Sequence, residues 1–322
     1  MTASTPRRVV LDTDPGIDDA LAILLGLASP EVEIAGLSVV HGNCPLSEAV
    51  ANALAVLELG GAPRLPVAVG CATPLLRPPY TAPETHGATG LGEARLPPAA
   101  ACPVAEHAVD MLIREIMAAP GEVSLVAVGP LTNVALALRK EPRIAGAVRE
   151  VIFMGGAFRV DGNTTPLAEF NVYVDPHACQ ILLDAGTPLT IIPWDITREV
   201  RLTQADVDRL LARGGPIPAF IADATRFYIG FHLSQFGYAA CSINDPAALA
   251  LVYMPDLAQL TEAYVAVETA SELSMGKTQA DFQRLLRRAP NARVVTAFDG
   301  PRFVEHFLRR MEALVDRVSG RA

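Results

Sequence analysis

Asp12, Asp14, Asp18 and Asp19 put four carboxylates within eight residues, in the run Leu11-Asp12-Thr13-Asp14-Pro15-Gly16-Ile17-Asp18-Asp19. Capping and the helix macrodipole account for one or two aspartates at a helix start. Four in one turn repel one another unless a cation relieves the repulsion. All-oxygen donors with no His or Cys nearby point to a hard ion, calcium or magnesium, rather than zinc. Further oxygen and amide groups recur just after apolar runs: Asn43, the Val128-Gly129 turn, Asn163, the Glu169-Phe170-Asn171 triplet and Asp245. A single Asn after a strand is ordinarily a turn former. Gathered around a cation, these groups suit a polyhydroxylated ligand such as a ribose, whose hydroxyls can bind the ion and donate to Asp, Glu and Asn.

The elements that position these residues are legible as an alternation. Short β-rich apolar runs at 9–11, 34–40, 67–69, 123–128, 151–154 and 189–193 are separated by helical patterns at 19–27, 46–59, 104–118, 131–140 and 176–185. Pro130 and Pro176 stand where helix starts are expected. This βαβ series predicts an α/β fold, a mostly parallel central sheet flanked by helices, with the ligand beyond the carboxyl ends of the strands. Residues 77–98, rich in Pro, Gly and Thr, read as a loop over the sheet edge that carries His86-Gly87. Residues 203–236 and 246–252 read as helices, 263–267 and 294–296 as late strands, and 302–318 as a terminal amphipathic helix. No repeat and no compositional shift marks a boundary, so residues 1–322 are read as a single domain.

Composition narrows the partners. The chain is 51% hydrophobic and carries a formal charge of −9, which argues against a broad electrostatic footprint for nucleic acid or an anionic membrane and leaves a small molecule. The start of the chain lacks the apolar core of a signal peptide, and no later stretch offers an uninterrupted span, so a cytoplasmic location is expected. Cys44, Cys71, Cys102, Cys179 and Cys241 are scattered and form no CxxC pair, as expected of free thiols.

The acidic run resembles the DxDPGxDD hallmark of the inosine-uridine preferring nucleoside hydrolases. Asn43 in HGN, His86-Gly87, GPLTN at 129–133, MGG at 154–156, EFN at 169–171 and Asp245-Pro246 follow in that family's order, over roughly residues 8 to 300. The resemblance implies a Rossmann-like nucleoside hydrolase fold and hydrolysis of a ribonucleoside's N-glycosidic bond. It implies calcium held by Asp14, Asp19, the main-chain oxygen of Val128 and Asp245, with Asp14 as the general base that activates water. Asp18, Asn43, Asn163, Glu169 and Asn171 would grip the ribose, with His86 at its edge and Phe170 touching sugar or base. Asp12 would orient the cluster. A homodimer or homotetramer is the expected assembly.

One position departs from the family pattern. Many members have a His immediately before the Asp-Pro pair, to protonate the departing base; here Asn244 stands there, and an amide cannot give up a proton at usable pKa. His232, four residues after Tyr228 and on the same helix face, is the candidate substitute. Trp194 reads as a core residue rather than a stacking platform. Two other readings are weighed. A haloacid dehalogenase-type phosphohydrolase would share the DxD after the first strand, but it needs a Lys that neither Lys140 nor Lys277 supplies in a matching context. A non-catalytic nucleoside-binding or sensor protein would keep the metal site, but binding alone does not require Asp14 as a base.

Overall fold

The computed structural model describes residues 5–320; residues 1–4, on which part of the leaderless-start expectation falls, lie outside the described residues. In chain order the strands are β1 (Arg7–Thr13), β2 (Val32–Val39), β3 (Val67–Val69), β4 (Val123–Ala127), β5 (Glu150–Met154), β6 (Leu189–Ile192), β7 (Arg201–Thr203), β8 (Ala240–Ser242), β9 (Ala258–Val267), β10 (Thr278–Asp281) and β11 (Ala292–Phe298). The helices are α1 (Ile17–Ala28), α2 (Leu46–Leu59), α3 (Pro83–His86), α4 (Ala108–Ala118), α5 (Thr132–Lys140), α6 (Ile144–Ala147), α7 (Phe170–Val174), α8 (Pro176–Asp184), α9 (Trp194–Thr197), α10 (Gln204–Leu211), α11 (Pro216–Phe236), α12 (Asn244–Ala250) and α13 (Gly300–Val318).

Nine strands form one sheet in the order β10-β9-β11-β6-β5-β4-β1-β2-β3, parallel from β3 to β11, while β9 runs antiparallel to both β11 and β10. Alternation along β1 sends Val9 and Leu11 into one apolar layer and Val10 into the other. The first layer is built with α1, α2, α11, α12 and α13, the second with α4, α5 and α8. Helix α1 is buried nearly all round, which is why its sequence, IDDALAILLGLA, is apolar beyond its two acids.

The chain steps outward from β1 through β2 to β3, then returns to the other side of β1 for β4. That reversal is a topological switch point, and it opens a crevice at the carboxyl ends of β1 and β4. Asp14 follows β1 and Val128 follows β4, so both stand at its mouth.

Several boundaries differ from the sequence expectation for local reasons. Helix α4 starts at Ala108 rather than 104, because the His107 ring accepts from Val109 N and caps it there, while Val104 bridges to Ala68. The 77–98 loop contains one helical turn, α3, that delivers His86. The β7–β8 pair, three residues per strand, is too short to leave a periodic signal, yet its register Arg201↔Ser242 fixes the approach to Asn244. Among the described residues no helix is long and apolar enough to cross a membrane, and all five cysteines are free.

Candidate active site

The acids cluster because the turn after β1 is folded back on itself. Asp19 Oδ1 accepts from Thr13 Oγ1 (2.5 Å) and Asp14 N (3.2 Å); its Oδ2 accepts from Gly16 N (3.0 Å) and Asn43 Nδ2 (2.9 Å). Asp14 Oδ2 accepts from Asn43 N at 2.8 Å. The Asp14 carboxylate lies between two glycines: a Cβ on Gly42 would fall 1.9 Å from Oδ2, and one on Gly129 2.6 Å from Oδ1. The glycines of HGN and GPLTN are therefore clearance for Asp14. Gly42→Ala displaces that carboxylate, and a misplacement of about 1 Å is expected to cut turnover about 10²-fold. Ribose release checks this, and wild-type turnover in the variant would show that the clearance is not needed.

Asp12 stands behind this group and faces away from it. Its Oδ1 accepts from Ser38 Oγ and from Asn133 Nδ2 (3.0 Å), and its carbonyl accepts from Val128 N at 2.8 Å, which aligns the Val128 peptide. Those contacts suit the orienting role proposed for Asp12.

Above the acids is a cavity of about 200 Å³ lined by Asp18, Asn43, His86, Val128, Asn163, Glu169, Phe170, Asn171, Tyr228, His232, Asn244 and Asp245. Every site residue expected from the sequence is in that wall except Asp14 and Asp19, which lie beneath it and are bonded to Asn43. One grouping differs from expectation: carboxylate oxygens of Asp18, Asp19 and Asp245 come within 4.8 Å of one another. Asp18, which the resemblance assigns to the ribose, stands in this trio, and Asp14 lies outside it.

Glu169 caps α7: Oε1 accepts from Asn171 N (2.8 Å), and Oε2 from Gly156 N (2.9 Å) and Val172 N (3.2 Å). Asn171 Nδ2 then donates to Val128 O (2.8 Å) and Met154 O (3.1 Å), tying the ends of β4 and β5 together. Asn163 Oδ1 accepts from Phe170 N at 2.9 Å. On the far wall Asn244 Nδ2 donates to Asp18 Oδ2 (2.6 Å) and to the Tyr228 hydroxyl (3.2 Å), which itself donates to Asp18 Oδ2 at 3.4 Å.

Burial dominates the electrostatics. It pushes Asp14 and Asp245 well above the carboxylate range, with neighbouring acids adding to the shift, and raises Asp18 to about 6 and Glu169 to about 7. Among the described residues no Lys or Arg lines the cavity. Asp14 Oδ1 is buried with no hydrogen-bond partner. Carboxylates collected without a cationic side chain, one of them with an orphaned oxygen, fit a hard cation, as does an oxygen-only donor set.

The histidines read differently. Burial lowers His86 and His232 to about 4, so both rings are neutral at pH 7. His86 Nδ1 accepts from Ile17 N at 3.1 Å. His232 Nδ1 donates to Tyr228 O at 2.8 Å, and its ring meets Tyr228 edge-on, with centroids 4.4 Å apart.

Sequence reasoning missed Tyr80, Glu84, Thr85, Thr164, Phe231, Gln235 and Phe236, which also line the cavity. Tyr80, Glu84 and Thr85 lie in the 77–98 loop, Thr164 in the segment between β5 and α7, and Phe231, Gln235 and Phe236 on α11, where no spacing distinguishes a pocket face from a core face. Trp194 is buried as expected, 5.6 Å from the Phe236 ring, yet it too reaches the cavity wall.

A mostly parallel α/β sheet with buried acids at its switch point and a polar, aromatic-walled cavity above them defines a small-molecule enzyme. Residues 9–305 match the model of the inosine-uridine preferring nucleoside hydrolase family. The chain is 34% identical to the pyrimidine-specific ribonucleoside hydrolase RihA of Salmonella gallinarum, over 94% of this chain and 98% of that one. Among solved structures it is similar to a purine-preferring ribonucleoside hydrolase from Gardnerella vaginalis (TM-score 0.92, 31% identity, covering 97% of this chain and 100% of that one). It is as similar to the plant nucleoside hydrolase PpNRh1 (TM-score 0.92, 32% identity, covering 96% and 100%). The chain belongs to the inosine-uridine preferring nucleoside hydrolase family and is an N-glycosyl hydrolase, a nucleosidase. This membership replaces the phosphohydrolase reading, and the geometry agrees: Lys277 Nζ is held by Ala157 O (2.9 Å), and Lys140 pairs with Asp110 on the surface.

Proposed function

We propose that the chain hydrolyses ribonucleosides to ribose and free base with calcium as its ion and Asp14 as its general base. The observation that carries the reading is the buried Asp14 Oδ1, without a hydrogen-bond partner among the described residues, in a group of carboxylates that no described Lys or Arg of the cavity lining offsets. Asp14, Asp19, Asp245 and the Val128 carbonyl would hold the ion, with Asp18 close enough to share it. Several carboxylates and a carbonyl on separate elements suit the larger, less demanding coordination of calcium better than magnesium. When bound, the ion supplies positive charge for ribose hydroxyls and lowers the pKa of water.

The remaining steps belong to the side chains. Asp18, Asn43, Asn163, Glu169 and Asn171 bind the ribose from opposite walls and aim C1′ at Asp14. Asp14 takes the water's proton as the C1′–O bond forms, and the surrounding carboxylates stabilise the positive charge that develops on the sugar as the glycosidic bond breaks. His232, with Nδ1 held by the Tyr228 carbonyl, would serve as acid only if substrate raises its pKa. A homodimer or homotetramer is the assembly that the family resemblance implies, and a cytoplasmic location is one that the scattered free cysteines suit.

The calcium assignment is tested by titrating calcium into chelator-treated protein. Saturation near one ion per chain and a rise in Tm with calcium concentration are expected, with Asp19→Asn weakening binding at least about tenfold, as loss of one charged ligand implies. No heat of binding and no change in Tm would remove calcium from the account.

A further inference from the structure

We propose that the cavity is built for nucleosides whose leaving base carries a positive charge, such as pyridinium or N7-alkylpurinium ribosides, in preference to neutral ones. The proposal rests on the nucleosidase reading and names its substrate class. Three observations carry it.

The first is the missing acid. Asn244 commits its Nδ2 to Asp18 and Tyr228 and has no proton to give. A neutral purine or pyrimidine departs as an anion unless it is protonated, and general acid catalysis is worth roughly 10²- to 10⁴-fold. A cationic base needs no such help. The C1′–N bond breaks with its electron pair passing to the ring nitrogen, which cancels the positive charge. The C1′–O bond forms from water, whose proton goes to Asp14 and then to solvent.

The second is the wall. Tyr80, Phe170, Trp194, Tyr228, Phe231 and Phe236 line the cavity, and aromatic faces attract a delocalised cation. The third is the charge balance. Asp18, Glu84, Glu169 and Asp245 line the cavity, Asp14 and Asp19 lie beneath it, and among the described residues no Lys or Arg lines it. That places six carboxyl groups at the cavity against the two positive charges that a bound divalent cation would bring. Arg198 and Arg201 lie over the rings of Trp194 (6.0 Å) and Tyr238 (3.9 Å) and are not part of the lining. His232, neutral at pH 7, adds no opposing charge.

The test compares kcat/KM for 7-methylinosine and inosine, with calcium present, in the wild type and in Asn244→His. The wild-type ratio should favour the cation by at least about 10²-fold, and the variant should lower that ratio at least about tenfold by raising inosine turnover. Equal wild-type turnover of both, or the same ratio in the variant, overturns the proposal and leaves the nucleosidase reading standing. If Asn244→His does not fold, competitive inhibition of the wild type decides. The 3-carbamoyl-1-methylpyridinium cation should bind at least about fivefold tighter than its neutral isostere 3-methylbenzamide, and equal inhibition overturns the idea. An inert p-nitrophenyl riboside, whose leaving group needs no proton, would instead defeat the nucleosidase reading and this proposal with it.

Discussion

Asp14→Asn lowers kcat for nucleoside hydrolysis by about 10²- to 10⁴-fold at saturating calcium while KM stays within about threefold. The amide keeps an oxygen to accept from Asn43 N, so the turn after β1 is preserved, and with it the ribose contacts proposed for Asp18, Asn43 and Asn171. It cannot take a proton. Loss confined to kcat is the signature of an interaction made in the transition state rather than on binding. The substitution is nearly isosteric, and the carboxylate is wedged against Gly42 and Gly129, so no larger residue would give a clean comparison. Steady-state kinetics with a reducing-sugar readout make the measurement; unchanged kcat would remove Asp14 as the base.

Glu169→Ala unfolds at a temperature about 5 °C below wild type. Its two oxygens accept from three buried backbone N–H groups, those of Gly156, Asn171 and Val172. Alanine leaves all three without an acceptor, at about 1 kcal/mol or more each. Because Asn171 is set by this cap and in turn holds the Val128 and Met154 carbonyls, the loss spreads to the ends of β4 and β5. Glu169→Gln retains one acceptor oxygen and is expected to lose less than half as much. Thermal unfolding followed by circular dichroism reads both. A Tm for Glu169→Ala within about 1 °C of wild type would show that water satisfies these groups and that the cap is dispensable.

Most of the fold is legible from the sequence because its parallel strands are buried on both faces and therefore appear as uninterrupted apolar runs. Where burial is uneven the signal fades: β9 has exposed positions at Gln259, Leu260 and Glu262, and only its second half, near 263–267, stands out. The reversal of direction at β9 leaves no mark, since pairing direction is set by neighbours rather than by composition. In the site, the residues found from the sequence are those whose chemistry is unusual for their location, acids and amides just past strand ends. Tyr80, Phe231 and Phe236 carry no such mark, because an aromatic residue in a loop or on a helix looks the same whether it faces a core or a ligand. The position of Asn244 was readable, but its partners were not. Only the folded chain shows its amide spent on Asp18 and Tyr228 rather than available to a leaving base.

The central claim is a cation-dependent nucleosidase, and ribose release from p-nitrophenyl riboside tests it most directly. The account predicts hydrolysis with calcium present, loss of at least about 10³-fold after chelation, and recovery when calcium is restored. Equal rates before and after chelation would contradict it.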